Sequence, residues 1–443
     1  LKLKVPNGSC AMRVCPGEQR CWRCCGQGAQ VSLAVLLGLC FGILFSQLQP
    51  SSSLMNILAF PGKLWLKALT CAVLPLIVCG MIQSMAMMRD LPGAKDLAFG
   101  VISLYCFTTI VAAVEGAVIA TSLLGWTISP LAPLETEGKG AEVHKMSVDE
   151  AVLNIFDQLV PKNIVGDAAA NRLISVIVTS ILLGLLLPRP EGRRSTTLEV
   201  VDEVNDVVNK VIKFLIRLSP VGVCSLVLTG SSRFELQHMG TSVAALVACV
   251  LTALGLHMFV FCSLLLALGA NRNPVTYFRT CLPALLTALG SCSSAASLPL
   301  NIEAAEKNGL RPHVAKMALN LGATINMDGN SIYLICSTVC VALMQGICLN
   351  PGDIVVLCIM ATLCTMGTAP VPSASLVLLA TLLSMLDIPV TETFGLISAI
   401  DWLLDRLRTC TNVYGDACVA AVLDHRVGSV ETKAEDVQCA EMP

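Results

Sequence analysis

Charge is what this 443-residue chain has least of. Only 14% of its residues are Asp, Glu, Lys or Arg, where a soluble globular domain carries about a quarter. That scarcity argues against an ordinary water-soluble domain. The charges that are present nearly cancel, to a net of −2, so the basic surface that a nucleic-acid partner needs is missing. Histidine is also scarce. His144, His238, His257, His313 and His425 are too scattered along the chain to suggest a metal or catalytic cluster, and no nucleophile with a nearby base is visible, which argues against an enzyme. Cysteine is abundant, at 22 residues, but the paired spacing of a disulfide framework is absent. Most cysteines lie within apolar runs, where they serve as small polarizable packing residues. Cys10, Cys15, Cys21, Cys24 and Cys25 sit in a basic leader (1–28), where acylation beside a membrane or a metal knuckle is the alternative to unassigned thiols.

What the chain does have is a succession of uncharged stretches: Cys24 to Gly62, Ala68 to Met88, Leu97 to Val114, Thr280 to Ile302, Gly329 to Gly352 and Ile354 to Leu386. A helix needs about 20 mostly apolar residues to cross the hydrocarbon core, and each of these suffices. The pattern predicts an all-α membrane protein, with lipid as its surroundings. Eight spans are expected over 29–49, 56–86, 96–127, 166–188, 202–231, 240–270, 312–346 and 391–424. Two further apolar segments, 276–299 and 354–385, are interrupted at corresponding places, by Gly290 to Ser294 and by Gly367 to Pro372. They read as re-entrant hairpins of opposite orientation, the mark of an inverted repeat with a midplane site. Lys and Arg concentrate in Lys2 to Arg23, Arg89 and Lys95, Arg189 to Arg194, Arg272 and Arg279, and Lys307 to Lys316. Placing these inside leaves the acidic segment from Glu135 to Asp149 outside, as the positive-inside bias expects, with both termini cytoplasmic. The first apolar run lacks a cleavage signal and reads as a retained span. The polar tail from Arg426 to Pro443 is expected to be unstructured.

Three polar islands interrupt this apolar background. In the last span Asp405, Thr409, Asn412 and Asp416 repeat at helical spacing, with Asp401 and Arg408 on the same side. An ionised side chain at bilayer depth costs about 2.5–3.5 kcal/mol even on the gentler insertion scale, so this stripe faces a cavity or partners; a buried ion-pair network that merely orders the bundle is the competing explanation. Arg406 points off the stripe and is expected to snorkel or pair locally. The second island is Gly322 to Asn330, in which Asn326-Met327-Asp328-Gly329 favours local unwinding, because Gly and Asn tolerate unusual dihedrals and Asn and Asp compete for backbone bonds. Freed carbonyls with a carboxylate and an amide suit a small hard cation; a simple kink with Asp328 paired to a basic residue is the alternative. The third is Ser291, Cys292, Ser293 and Ser294 at a hairpin tip, where backbone donors at a helix start meet an anion, unless these serines only pack.

Taken together, the segments from about Phe60 to Ala421 resemble the glutamate transporter (sodium:dicarboxylate symporter) family, which includes excitatory amino acid transporters, neutral amino acid exchangers and archaeal sodium-coupled aspartate transporters. The resemblance rests on Phe60-Pro61-Gly62 with Leu74-Pro75-Leu76, the serine tip ending at Leu298-Pro299, Gly322 to Gly329, and the run from Asp401 to Asp416. It implies a homotrimer working as an elevator within residues 29–424, with a scaffold (spans 1, 2, 4 and 5) and a transport domain (spans 3, 6, both hairpins and the last two spans). It implies sodium-coupled carriage of an acidic amino acid across the plasma membrane. Asp405 would hold the substrate amino group and Arg408 its side-chain carboxylate, with Thr409 and Asn412 assisting, Asn330 near the side chain, and Ser293 and Ser294 receiving the α-carboxylate. Sodium ions would sit at Asp416, Asn412, Gly322 and Asn326; at Asp328 and Asn326 with Tyr105, Thr108 and Thr109; and at Met327 and Thr324 with Thr365, Met366 and Thr368.

The chain departs from the family pattern at four places. Asn330 replaces a Thr, which bears on selectivity. Leu334 replaces the Glu of proton-carrying relatives, so sodium coupling without that proton step is expected. Pro370, Ser373 and Ser375 replace glycines in the second hairpin, and Pro fixes its φ and lacks a donor. Glu115 stands in a span where the family is usually apolar, either as a functional charge or as a residue facing water. Rivals are a neutral amino acid or dicarboxylate carrier of the same fold, or a ligand-gated anion conductance.

Overall fold

The computed structural model describes residues 16–48, 51–89, 95–128, 162–170, 172–188, 195–231, 236–366, 374–390 and 392–440, with isolated residues between 153 and 160. Among these it is all-helical. In chain order the helices are α1 (Pro16–Leu48), α2 (Ser52–Arg89), α3 (Lys95–Thr127), α4 (Ile164–Ala169), α5 (Leu173–Leu186), α6 (Thr196–Arg217) and α7 (Ser219–Ser231). There follow α8 (236–269), α9 (Pro274–Ser291), α10 (Ser294–Lys307), α11 (Pro312–Ile325), α12 (Asp328–Met344), α13 (Pro351–Met366), α14 (Ala374–Met385) and α15 (Glu392–Ala440). Four helices among the described residues are long and apolar enough to cross a membrane, or five if the pair α6 and α7, bent by 48°, is counted as one span. With the family evidence given below, these helices make the chain an integral membrane protein.

At the N-terminal end the first helix starts ahead of the span expected from residue 29, and at the C-terminal end one expectation is corrected. Helix α1 begins at Pro16, so the second half of the leader is helical. Helix α15 continues to Ala440, so the polar stretch after Arg426 extends the last helix as far as Ala440. Glu, Lys, Ala and Gln are good helix formers, and a helix already nucleated by a packed segment propagates through them at little cost. The acidic segment 135–149, the Cys10 and Cys15 positions and the second hairpin tip from Gly367 to Ser373 lie outside the described residues.

Packing falls into two neighbourhoods, joined where α7 packs on α15 and α14 on α2. Helix α2 gathers α5, α6 and α7, with α1 lying on α7. Helices α3, α8, α9, α10, α11, α12 and α13 surround α15, directly or through one another. Small residues let the first group close up, as membrane bundles commonly do. A Cβ on Gly222 of α7 would fall 2.5 Å from the Trp65 ring of α2. The Pro61-Gly62 step of α2 is repaired by its neighbour: Gly62 N donates to Ser225 Oγ at 3.0 Å, and that hydroxyl donates to Leu58 O at 2.5 Å. Ser225 thus stands in for a backbone bond of α2, one way a proline-containing helix stays satisfied in lipid.

In the second group, α9 and α10 fold back on one another through a two-residue tip, in which Cys292 takes the left-handed conformation (φ 51°). Helix α12 is buried along nearly its whole length, which places the polar break before it in the middle of the protein.

Candidate functional site

The sequence Asn326-Met327 does break the helix: α11 ends at Ile325 and α12 begins at Asp328, with Asn326 extended (φ −95°, ψ 104°). Asn326 and Asp328 are essentially fully buried. Helix α3 brings two hydroxyls to them. Thr109 Oγ1 donates to Asp328 Oδ1 at 2.8 Å and lies 3.2 Å from Asn326 Oδ1. Thr108 Oγ1 lies 3.1 Å from Asn326 Oδ1 and 3.3 Å from Asp328 Oδ1, and 3.1 Å from Tyr105 O. From α15, Asp416 Oδ1 accepts from Asn326 Nδ2 at 3.0 Å, and Asn412 Oδ1 accepts from Gly329 N at 2.8 Å.

Three glycines make this convergence possible. A Cβ on Gly322 would lie 2.6 Å from both Asp416 Oδ1 and the Tyr105 hydroxyl. One on Gly415 would lie 3.0 Å from Asp328 Oδ2, and one on Gly329 would lie 2.7 Å from Arg408 O. Residues from α3, α11, α12 and α15 therefore present a knot of oxygens with two carboxylates, and among the described residues no Arg or Lys forms an ion pair with Asp328 or Asp416. Among the described residues no three His, Cys, Asp or Glu side chains converge as metal ligands. The donor set that does converge is hydroxyl, amide and carboxylate oxygen, the chemistry of a hard cation.

One turn along α15 the chemistry reverses. Arg408 is fully buried. Its Nη2 donates to Asp401 Oδ1 at 2.9 Å and to Asp405 Oδ1 at 2.8 Å, and its guanidinium carbon lies 3.8 Å from the centroid of the Tyr333 ring. Among the described residues the other two guanidinium nitrogens, Nε and Nη1, meet no acceptor, and Asp401 Oδ2 meets no donor. Thr409 turns its hydroxyl back to Asp405 O at 2.7 Å. Because Gly329 abuts Arg408 O and bonds Asn412, the arginine site and the oxygen knot share a wall.

The remaining expected residues are placed as follows. Ser293 caps α10, its Oγ accepting from Ala296 N, and Ser294 is buried. Asn330 is buried with its amide on Met327 Sδ at 3.1 Å. Thr324 and Thr365 turn their hydroxyls to their own helices, at Leu321 O and at Ala361 O and Thr362 O. Helices α11 and α13 adjoin, and Met327 and Met366 are buried; Thr368 lies outside the described residues.

Sequence reasoning missed two features. Arg406 reaches across to another segment: its Nη1 donates to Leu289 O at 2.9 Å, at the carbonyl-rich end of α9, where a cation suits the helix dipole. It thereby ties the serine hairpin to α15. The second is His257 of α8, set aside as one of five scattered histidines. Its Nδ1 lies 2.8 Å from Glu115 Oε2 and its Nε2 lies 3.3 Å from Asp328 Oδ2. A buried histidine 71 residues from one partner and 142 from the other has no local sequence signal.

The family model described as the sodium:dicarboxylate symporter family matches residues 28–426. The chain belongs to this family. Its sodium:dicarboxylate symporter relatives include an excitatory amino acid transporter of Caenorhabditis elegans, 29% identical over 88% of this chain and 86% of that one. Human excitatory amino acid transporter 2 is 28% identical over 88% of this chain and 77% of its own. The rabbit neutral amino acid transporter B(0) is 26% identical over 98% of this chain and 87% of its own. The family is one of transporters, not enzymes.

Proposed function

We propose that the protein is a sodium-coupled symporter of acidic amino acids, with the guest held at Arg408 and Asp405 and sodium ions at the oxygen knot around Asn326, Asp328 and Asp416. One observation carries the substrate class: a fully buried guanidinium with Nε and Nη1 uncommitted. A buried donor left without an acceptor is costly, and arginine is the side chain best suited to pair a carboxylate through more than one N–H. Asp405 supplies the complementary charge for the ammonium group.

Sodium coupling follows from electrostatics. Asp401, Asp405, Asp328 and Asp416 are all buried against one arginine, Arg408, and moving that excess negative charge through a bilayer is unfavourable until cations offset it. Neither sodium nor the guest alone completes the set, so crossing in a half-loaded state is unfavourable. Leu334, at 0% exposure, carries no proton, and we assign no proton step to that position.

The two packing neighbourhoods support a scaffold and a mobile domain moving as an elevator, with α9 to α10 and α13 to α14 as its re-entrant hairpins. Helix α6 supports association of copies as a homotrimer: Val200, Val204, Val207, Val211 and Phe214 form an exposed apolar stripe beside exposed Glu203, Asp206 and Lys210, a face suited to another protein surface better than to lipid alone. We place the protein in the plasma membrane with both termini cytoplasmic.

The test is uptake of labelled aspartate and glutamate by the purified protein in liposomes. An inward sodium gradient should drive accumulation, and replacement of sodium by choline should abolish it. Uptake indifferent to that replacement overturns the coupling, and a competition panel in which alanine, serine or a dicarboxylate without an amino group displaces better than aspartate overturns the substrate class.

A further inference from the structure

The contact between Glu115, His257 and Asp328 is not used by the mechanism above. Thr108 and Glu115 are seven residues apart on α3, two helical turns, and so share a face about 10 Å long. From one end of that face the threonine hydroxyls meet Asp328 Oδ1. From the other, Glu115 Oε2 grips His257 Nδ1 at 2.8 Å, and the imidazole's opposite nitrogen meets Asp328 Oδ2 at 3.3 Å. Helix α3 thus holds both oxygens of one carboxylate, one directly and one through a ring borrowed from α8.

The ring has little freedom. His257 is wholly buried and stacks on Phe261, with centroids 4.9 Å apart and planes 27° from parallel. Both residues belong to a π-helical turn, His257–Phe261, a widened turn of the kind that often marks functional positions in helices. Next to Glu115, a Cβ on Gly116 would lie 3.2 Å from Ile332 Cα, so α3 and α12 are at close approach where the clasp closes. Glu115 itself keeps 26% of its side chain exposed.

Resting on the sodium-symport reading, we propose that Glu115 is a positioning residue for the cation site at Asp328: by anchoring His257 it fixes the orientation of the Asp328 carboxylate and so sets sodium affinity there. Partners that orient a ligand from outside are worth about 10–100-fold in metal affinity. Glu115 touches neither the guest nor the ion, so its effect falls on sodium dependence and leaves substrate recognition at Arg408 intact.

The experiment compares wild type, Glu115→Leu and Glu115→Gln as full chains in liposomes and in detergent. Half-saturating sodium is measured at fixed aspartate, aspartate KM at saturating sodium, and the rise in Tm on adding sodium alone, which reports binding by mass action without transport. Glu115→Leu should raise half-saturating sodium about tenfold and shrink the sodium-induced Tm rise, with aspartate KM at saturating sodium unchanged. Glu115→Gln, whose amide can accept from or donate to Nδ1 as the ring requires, should stay near wild type on both counts, and its Tm without sodium checks the fold. Unchanged sodium dependence in Glu115→Leu, or equal losses in both variants, overturns the proposal while leaving symport standing. A wild type showing neither sodium-driven uptake nor a sodium-linked Tm shift instead brings down the transport reading, and this proposal with it.

Discussion

The two polar centres on α15 are built on opposite principles. Around Arg408, donors are in excess: two aspartates crowd one nitrogen of the guanidinium while Nε and Nη1 meet no acceptor among the described residues. Around Asn326 and Asp328, acceptors are in excess: two carboxylates and an amide oxygen share hydroxyls, a single amide donor and one nitrogen of the His257 ring. A buried group that its own protein leaves unmatched is costly, so each centre states the kind of partner it lacks. Surplus N–H is matched by an anion and surplus oxygen by cations, and the shared wall at Gly329 makes the two completions neighbours.

Breaking the donor-rich centre should have the largest effect. Arg408→Cys removes one partner of a buried ion cluster, a change of about 3–5 kcal/mol. Acidic uptake should fall at least a hundredfold while the sodium-induced Tm rise persists, and neutral amino acids should become competitive; undiminished aspartate uptake would show that the carboxylate is bound elsewhere. On the acceptor-rich side, Gly322→Ala pushes a methyl to 2.6 Å from Asp416 Oδ1 and the Tyr105 hydroxyl. Overpacking of this kind costs about 1–3 kcal/mol. Sodium titrations should show half-saturation raised about tenfold, with the ranking of substrates preserved. The smallest effect sharpens the contrast by touching neither centre. Arg406→Gln loosens the tie between α15 and the α9 carbonyls, worth about 1 kcal/mol, and should lower Tm slightly without altering sodium dependence or selectivity. A shift in selectivity would place Arg406 in the guest's path.

Much of this contrast was legible in the residues. Spacing along α15 put Asp405, Arg408, Thr409, Asn412 and Asp416 on one face, and the structure buries all five. Asn-Met-Asp-Gly announced the break between α11 and α12 because its dihedral and hydrogen-bond preferences are local. What periodicity does not contain is the partner across the gap. Asp401 was on the right face, yet its engagement of Arg408 depends on rotamers chosen in packing. His257 meets Glu115 and Asp328 only because three helices meet there, and Arg406 finds Leu289 carbonyl 117 residues away. The C-terminal tail was misjudged for a different reason: polar composition signals disorder in an isolated segment, but a tail continuous with a packed helix inherits its nucleus.

The clasp of Asp405 on Arg408 carries one more consequence. On the symport reading, the empty carrier already holds an understudy: a carboxylate of its own, 2.8 Å from the arginine, in the part a guest would play. Affinity is then a contest between an internal and an external anion for one cation, and the return journey without cargo proceeds with that arginine already spoken for.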